Sequence, residues 1–215
     1  MNADHYLKCL VRSILAGLSI GIGGCVFLGM LGISGGEYKW VGAILFTIGL
    51  FCVFTFGFDL YTGKVGYLVD NKPSYLLDLV VIIIGNFIGC ACAGYMMPDS
   101  AFAVDVHAVM VDTKLTDPDY LRVFFKGIFC GVMMFVAADF YKTKKNYLGA
   151  FICVPVFILA GFEHSIADMF YFCCAGEFTV DALIFIIVVL LGNAVGGVLI
   201  PLCRKYMYEE APKAQ

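Results

Sequence analysis

Charged side chains are scarce in this sequence of 215 residues, of which 14% are Asp, Glu, Lys or Arg and 61% are hydrophobic. Soluble globular domains carry about 25% charged residues, so the composition excludes that class. The formal net charge of −3 is too small to indicate a nucleic-acid partner. The composition therefore predicts a membrane protein.

Histidine is also rare, and the three that occur, His5, His107 and His164, are far apart in the chain. The ten cysteines lie mostly in apolar runs and show no metal-ligand spacing, so we expect small hydrophobic side chains rather than a disulfide framework. The sequence shows no nucleophile–base pair and no phosphate-binding loop. We therefore expect no catalytic site, no metal and no other cofactor.

Long uncharged runs are what the sequence has instead. A helix needs about 20 apolar residues to cross the hydrocarbon of a bilayer. Four runs meet this length, 13–36, 40–58, 79–98 and 182–203, and the runs 120–138 and 146–172 are weaker. We predict six spans. The first is too long for a signal-peptide core and lacks a cleavage site, so the mature chain is expected to start near Met1.

The distribution of lysine and arginine predicts the orientation, because cytoplasmic loops carry an excess of these residues. With six spans, the termini and the even-numbered loops hold Lys8, Arg12, Lys64, Lys72, Lys142, Lys144, Lys145, Arg204, Lys205 and Lys213. The opposite side holds only Lys39, Lys114, Arg122 and Lys126. Both termini of this multi-pass membrane protein are therefore expected in the cytoplasm.

Short motifs recur in the same order in the two halves of the chain. GFDLYT at Gly57 is answered by GFEHSI at Gly161, and GNFIG at Gly85 by GNAVG at Gly192. A three-helix unit used twice must enter the membrane from opposite sides, as in the inverted repeats of transporters and channels. The predicted fold is an all-α membrane protein of six helices, with repeats over about 8–98 and 120–206, in a single channel domain spanning 1–215.

The second helix of each unit is expected to break inside the membrane. Its apolar run reaches Gly-Phe-acid before a full crossing, and we place non-helical segments at 57–66 and 161–167. A break in hydrocarbon leaves backbone groups that need polar partners. We interpret Asp59 and Glu163 as braces that accept hydrogen bonds from the amides of these loops, supplemented by the hydroxyls of Thr62 and Ser165.

Two asparagines and one histidine complete the polar set. Asn86 and Asn193 occupy equivalent places in the two repeats, which favours hydrogen bonds to a non-helical backbone over contact with a permeant species. The stretch GFEHSIADMF places Glu, His and Asp in an apolar run, and His164 corresponds to Leu60 in the other repeat. An ionisable residue at membrane depth that the repeat does not demand is a candidate for function.

The motifs GFEHSIADMF, GFDLYTGK, GNFIG and GNAVG, at this spacing, closely resemble the formate/nitrite transporter family, from about residue 8 to 206. The resemblance implies an aquaporin-like protomer with its own pore and helices 2 and 5 broken at mid-membrane. It also implies a homopentamer in the lipid bilayer of the inner membrane. The expected substrates are small monovalent anions or their conjugate weak acids, such as formate, nitrite or hydrosulfide, together with protons.

Residue by residue, the resemblance implies that His164 is the central pore histidine and Thr62 the threonine facing it. Phe157 resembles a constriction residue, and Lys114 resembles a vestibule lysine that concentrates anions. Other narrowing side chains are expected at Leu50, Phe46, Leu60 and Tyr61. Lys64 and Gly131 depart from the family pattern. Lys64 either adds a cation that alters anion preference or lies at the cytoplasmic lip.

The hypothesis is a channel in which Lys114 collects an anion, a proton relayed through or polarised by His164 neutralises it, and the neutral acid crosses the apolar ring. A bare anion would lose its hydration there at a cost of several kcal/mol. Two alternatives stay open at this stage. One is a channel for neutral solutes such as water, urea or glycerol, and the other is a membrane-embedded enzyme.

Overall fold

The computed structural model describes residues 3–208, which are helical with no strand in that range. The long helices are α1 (Ala3–Ser34), α5 (Tyr75–Met96), α7 (Tyr120–Lys144) and α10 (Val180–Tyr208), and the shorter ones are α2 (Lys39–Leu45), α3 (Thr47–Phe56), α4 (Tyr61–Lys64), α6 (Thr113–Leu115), α8 (Leu148–Leu159) and α9 (Ser165–Ala175). A 3₁₀ segment, Val65–Asp70, follows α4, and a π-helical segment, His107–Asp112, precedes α6. Lys213, used above for orientation, lies outside the described residues.

Five helical segments are long and apolar enough to cross a membrane alone, counting Lys39–Phe56 as one. The sixth predicted span is divided between α8 and α9, whose lengths of 12 and 11 residues are each too short for a full crossing. The two interrupted spans, α2–α4 and α8–α9, are therefore the second helices of the two repeats. The order α1, α2–α4, α5 recurs as α7, α8–α9, α10.

Each interrupted helix ends by the same backbone device. Gly57 and Gly161 adopt left-handed conformations with φ of 67° and 71°. The next amide reaches back five residues, from Phe58 to the carbonyl of Val53 at 2.9 Å and from Phe162 to that of Phe157 at 3.0 Å. These are Schellman-type ends, which glycine forms without steric strain.

The interruptions are shorter than the sequence suggested. The predicted non-helical ranges 57–66 and 161–167 are wrong at their ends, because α4 already begins at Tyr61 and α9 at Ser165. The first amide of each new helix is accepted by a buried asparagine side chain from a distant helix. This long-range cap lets the helix resume after four residues in the first repeat.

Close contacts at glycine hold the first and third helices of each repeat together. α5 packs along α1, and α10 packs along α7. A Cβ atom at Gly89 would overlap the carbonyl oxygen of Ile14, and one at Gly196 would overlap that of Ile128. The Gly-Asn-x-x-Gly motifs thus bring the first and third helices of each repeat into backbone contact, as small residues do in membranes.

Candidate functional site: a buried histidine between two lysine-lined cavities

Two cavities approach the interrupted helices from opposite ends of the bundle. The first has a volume of about 560 Å³ and is lined by Lys39, Lys114 and Lys126 as well as by Phe46, Phe157 and His164. We call it the Lys114 cavity. It opens beside the segment 97–119, which joins the two repeats.

The second cavity has a volume of about 540 Å³ and is lined by Lys64, Lys142 and Lys145. We call it the Lys64 cavity. Leu60 and Val53 form part of its apolar wall. Each cavity therefore offers three lysines to an approaching anion, and cationic clefts raise the local concentration of counter-ions.

Buried apolar side chains separate the two cavities. Leu50 and Leu60 are each 1% exposed, and Phe46 and Phe157 are 2% and 3% exposed. The ring of Phe157 stands edge-on to that of Phe46, with centroids 6.5 Å apart. Phe46 and Phe157 line the Lys114 cavity, Leu60 lines the Lys64 cavity and Leu50 lines neither, and we call these four residues the closed zone. Phe46 and Phe157 are in contact, and the narrowing role of all four stays a prediction.

His164 and Thr62 meet beside this closed zone, in the contact that the resemblance implied, and their role in a pore stays a prediction. Thr62 Oγ1 and His164 Nε2 are 3.0 Å apart, joining the two repeats at their interruptions. The other ring nitrogen, Nδ1, accepts a hydrogen bond from the backbone amide of Ala167 at 3.1 Å and so caps α9. Phe157 stacks on the imidazole with centroids 5.4 Å apart.

These contacts assign the tautomer of His164. Because Nδ1 accepts from an amide, the proton of the neutral ring lies on Nε2, which donates to Thr62 Oγ1. A second proton on Nδ1 would point at the Ala167 N–H and at the positive end of α9. The site therefore favours a neutral histidine that acts as a hydrogen-bond donor.

Asn86 and Asn193 brace the interruptions as predicted. Asn86 Oδ1 accepts from the Tyr61 amide at 2.9 Å, and its Nδ2 donates to the carbonyls of Asp59 and Ser13. Asn193 Oδ1 accepts from the Ser165 amide at 3.0 Å. Its Nδ2 donates to the carbonyls of Glu163 and Gly127, each at 2.9 Å. Both asparagine side chains are buried and use both ends of the amide.

The carboxylates of Asp59 and Glu163 contact cations rather than loop amides, which corrects the prediction for them. Asp59 Oδ2 accepts from Arg12 Nε at 2.6 Å, and its Oδ1 pairs with Lys64 Nζ at 2.7 Å. The asparagines accept from the first amide of each new helix, at Tyr61 and Ser165. Thr62 is occupied by His164, and the buried Ser165 hydroxyl has no hydrogen-bond partner within residues 3–208, so neither supplements the loops.

Glu163 takes part in a larger ionic cluster at the wall of the Lys114 cavity. Its Oε2 accepts from Lys114 Nζ, and its Oε1 lies 3.5 Å from Lys126 Nζ. Lys114 Nζ also lies 3.0 Å from Asp168 Oδ1. Burial alone would lower the pKa of Lys114, but Asp168 and Glu163 outweigh it and raise that pKa, so the lysine stays charged.

The remaining predicted residues lie as follows. Lys64 lines its cavity with its charge directed at Asp59, which supports the interpretation of a lip residue. Tyr61 lines neither cavity, and its hydroxyl donates to the carbonyl of Leu190 on α10 at 3.0 Å. Its role in narrowing the pore stays a prediction.

Comparison with known proteins decides the family. The family model described as formate/nitrite transporter matches residues 2–207. The chain belongs to the formate/nitrite transporter family. It is 25% identical to a formate-nitrite transporter of Plasmodium knowlesi (strain H), covering 96% of this chain and 79% of that protein. It is 26% identical to a probable formate transporter of Methanothermobacter thermautotrophicus, covering 91% and 86% of the two chains.

Solved structures with the same fold include a pentameric formate channel with formate bound. It has a TM-score of 0.81 and 21% identity, covering 97% of this chain and 99% of that one. A second, titled FNT family ion channel, has a TM-score of 0.83 and 23% identity, covering 96% and 92%. The aquaporin-like, all-α fold predicted for this family member is thereby confirmed, and the transporter is a membrane protein.

Three charged residues of this transporter were not assigned a role from the sequence. Arg12 and Lys126 come from the first helices of the two repeats and pair with the acids of the interruptions. Asp168 lies one turn into α9 and shares Lys114 with Glu163. Asp168 had a signal in the sequence, since it is a charge in an apolar run at the repeat position of Lys64.

Proposed function

We propose that this protein is a channel for small monovalent anions or their conjugate weak acids, of the formate, nitrite or hydrosulfide class. The observation that carries the proposal is the buried His164–Thr62 pair, joined at 3.0 Å and placed between two lysine-lined cavities. Family membership supports the same reading. No enzyme activity is part of the proposal.

The first step is collection of the anion in a cationic cavity. Lys39 and Lys126 line the Lys114 cavity together with Lys114. An ammonium group attracts an anion over several ångströms in a cleft with low-dielectric walls. Lys114 itself is held by two carboxylates, so the more exposed Lys126, with 41% of its side chain accessible, is the freer cation.

The second step is passage through the closed zone. A dehydrated anion there would lie against Phe46, Phe157, Leu50 and Leu60, none of which offers a charge or a hydrogen bond. The cost is several kcal/mol, and a neutral acid avoids most of it. The permeant form proposed for this zone is therefore the protonated acid.

His164 serves this passage as a neutral donor. Its Nε2–H can turn from Thr62 Oγ1 to an oxygen or sulfur atom of the acid, while its Nδ1 stays on the Ala167 amide. Thr62 then offers its own hydroxyl to the same molecule. Of the two possibilities left open by the sequence, the geometry favours a histidine that polarises the substrate over one that carries the proton itself.

The assembly and location are part of the proposal. The pentameric formate channel with the same fold supports a homopentamer in which each protomer has its own pore. The excess of lysine and arginine at the termini and even-numbered loops supports cytoplasmic ends in an inner membrane. We treat 1–215 as one channel domain, with repeats over about 8–98 and 120–206.

Flux measurements in proteoliposomes with a trapped pH indicator test this function. We expect formate, nitrite or hydrosulfide to change the internal pH faster than in protein-free vesicles, because the neutral acid releases its proton inside. The matched measurement is vesicle swelling in urea and glycerol. Rapid swelling without any weak-acid flux would contradict the proposal and favour a neutral-solute channel.

A further inference from the structure

Asp168 is a buried carboxylate that the transport steps above do not use. It lines the Lys114 cavity, yet the residue is only 2% exposed. Its Oδ1 lies 3.0 Å from Lys114 Nζ, and its Oδ2 is buried without a hydrogen-bond partner in the part of the chain the structure describes. A buried carboxylate oxygen with no partner is costly when ionised.

The surroundings of Asp168 leave its charge incompletely compensated. The charged or titratable side chains that face it are Lys114 from the 97–119 segment, Glu163 from the interruption, Lys126 and Cys130 from α7, and Tyr171 from α9. Within residues 3–208, the Glu163 carboxylate contacts two of the lysines, whereas the Asp168 carboxylate contacts Lys114 alone. Asp168 is thus the less compensated of the two carboxylates.

The net charge of the buried ionic cluster around Asp168 depends on one proton. Lys114, Glu163 and Asp168 together carry one negative charge when both carboxylates are ionised, and none when one of them is protonated. Lys126 adds a positive charge at the exposed side, where solvent screens it. An anion that moves inward from Lys39 and Lys126 to Lys114, Glu163 and Asp168 is therefore repelled when both carboxylates are ionised and accepted when one of them is protonated.

We propose that Asp168 takes up a proton when an anion enters the Lys114 cavity, so that the cavity binds proton and anion together. The proton then passes from the Asp168 carboxyl to the substrate anion, giving a carboxylate and the neutral acid, and solvent reprotonates Asp168. Every proton that leaves in the acid is thus replaced from the water of the cavity. This step rests on the proposed function and supplies the proton that the neutral His164 does not.

Nitrate is the probe that isolates this step, because it carries the charge of nitrite but does not take a proton in the neutral pH range. On adding nitrate to the detergent-solubilised oligomer in weakly buffered solution, we expect proton uptake of up to one per protomer. A protonation of the protein is the only source of that uptake, since nitrate itself consumes none. Binding of nitrate without proton uptake would overturn the proposal.

The flux counterpart uses nitrate as an inhibitor of formate flux in proteoliposomes. If nitrate binding requires one proton, its inhibition weakens by up to about tenfold for each pH unit between about pH 6 and pH 8. In Asp168→Asn, which keeps the size of the side chain, the inhibition is expected to be independent of pH. Failure of nitrate to inhibit at about pH 6 would also count against the proposal.

A matched control removes a carboxylate from the same segment without touching the cluster. Asp112, with 58% of its side chain exposed, contacts His107 and lies next to the helix that carries Lys114. Asp112→Asn is expected to keep the pH dependence and the proton uptake of the wild type. If Asp168→Asn also keeps both, another group takes the proton and the inference is wrong.

The outcomes separate this inference from the proposed function. If the wild type transports formate but its inhibition by nitrate does not depend on pH, only the role of Asp168 is contradicted. Absence of any weak-acid flux sinks the channel function instead. Should Asp168→Asn fail to assemble, absence of proton uptake by the wild-type protein would still overturn the inference, because that measurement needs no variant.

Discussion

The two motifs that contain the interruptions, 57–64 and 161–168, share a backbone conformation and differ in their polar and charged side chains. Both end a helix at a left-handed glycine, and both restart it on an asparagine side chain. Yet when the two repeats are aligned, Leu60 occupies the position of His164, and Lys64 occupies the position of Asp168. The repeat thus fixes where the chain breaks, and the substitutions between its copies decide what each end of the pore does.

The ionic contacts of the two interruptions differ for the same reason. In the first repeat, the acid Asp59 pairs with Lys64 at the end of the helix that follows it, α4, and with Arg12 on α1. In the second, the equivalent of Lys64 is an acid, so the cation comes from Lys114 on the segment between the repeats. Asp59 therefore has one of its two cations within its own motif, whereas both cations that contact Glu163 lie on distant parts of the chain.

The largest expected effect on both interruptions comes from removing an asparagine brace. Asn86→Leu and Asn193→Leu each remove three buried hydrogen bonds to backbone groups and leave the first amide of the following helix unpaired, at about 1–3 kcal/mol for that amide alone. We expect both variants to lose the folded oligomer, measured by size-exclusion chromatography and thermal unfolding. The control is Asn146→Leu, whose exposed side chain accepts from Leu148, and it should assemble normally. Survival of either brace variant at the wild-type melting temperature would argue against a shared bracing role.

A second prediction contrasts the two lysines. Lys114→Gln leaves Glu163 and Asp168 without their closest cation, and breaking a buried pair costs about 3–5 kcal/mol. Lys64→Gln leaves Asp59 with Arg12, and with 38% of the Lys64 side chain exposed the loss should be below about 1 kcal/mol. Thermal unfolding of the two variants side by side measures the difference. Equal losses would show that the second cluster depends no more on its lysine than the first.

The third prediction concerns the effect of His164 on weak-acid flux. In His164→Asn, the amide can still cap α9, since asparagine is a favoured N-cap residue, so assembly should persist. Loss of the Nε2–H donor should lower weak-acid flux about tenfold, the value of a hydrogen bond of roughly 1.4 kcal/mol.

The pH profile of that flux separates two roles for His164. We expect the wild-type profile to persist in His164→Asn, because the proton is handled elsewhere. A profile that becomes flat would identify His164 as the proton carrier instead.

Tyr61 is expected to give the smallest effect. Tyr61→Phe removes one hydrogen bond to the Leu190 carbonyl, worth about 1 kcal/mol, and leaves both cavities unchanged. Stability should fall slightly, and formate flux should stay within about twofold of the wild type. A larger change in flux would support the prediction that Tyr61 narrows the pore.

Much of the fold could be predicted because its signals are local or repeated. Gly57 and Gly161 mark the interruptions in the sequence, and Asn86 and Asn193 recur in equivalent motifs. The exact restart of each helix could not be predicted, since the cap of Tyr61 comes from a residue 25 positions away and that of Ser165 from one 28 positions away. Short-range patterns carry no record of such partners.

The charges of the site were harder to assign. Asp59 and Glu163 looked like acceptors for nearby amides, but Arg12 and Lys114 approach them from 47 and 49 positions away. Asp168 stood out as a charge in an apolar run, yet nothing in its neighbours indicates that it shares a lysine. The identity of an ionic partner depends on how helices pack, which the local sequence does not encode.

The segment 97–119 is the only described stretch that joins the two repeats, and it carries Lys114 to the wall of the Lys114 cavity. It packs closely on α1, where a Cβ atom at Gly32 would overlap the backbone of Ala103, and its Val106 is fully buried. Substitutions in the segment are therefore expected to be tolerated at its exposed positions and to cost stability at its buried ones. For protein engineering, the exposed positions of this linker are places where the ionic character of one entrance can be changed while the helices behind it are left intact.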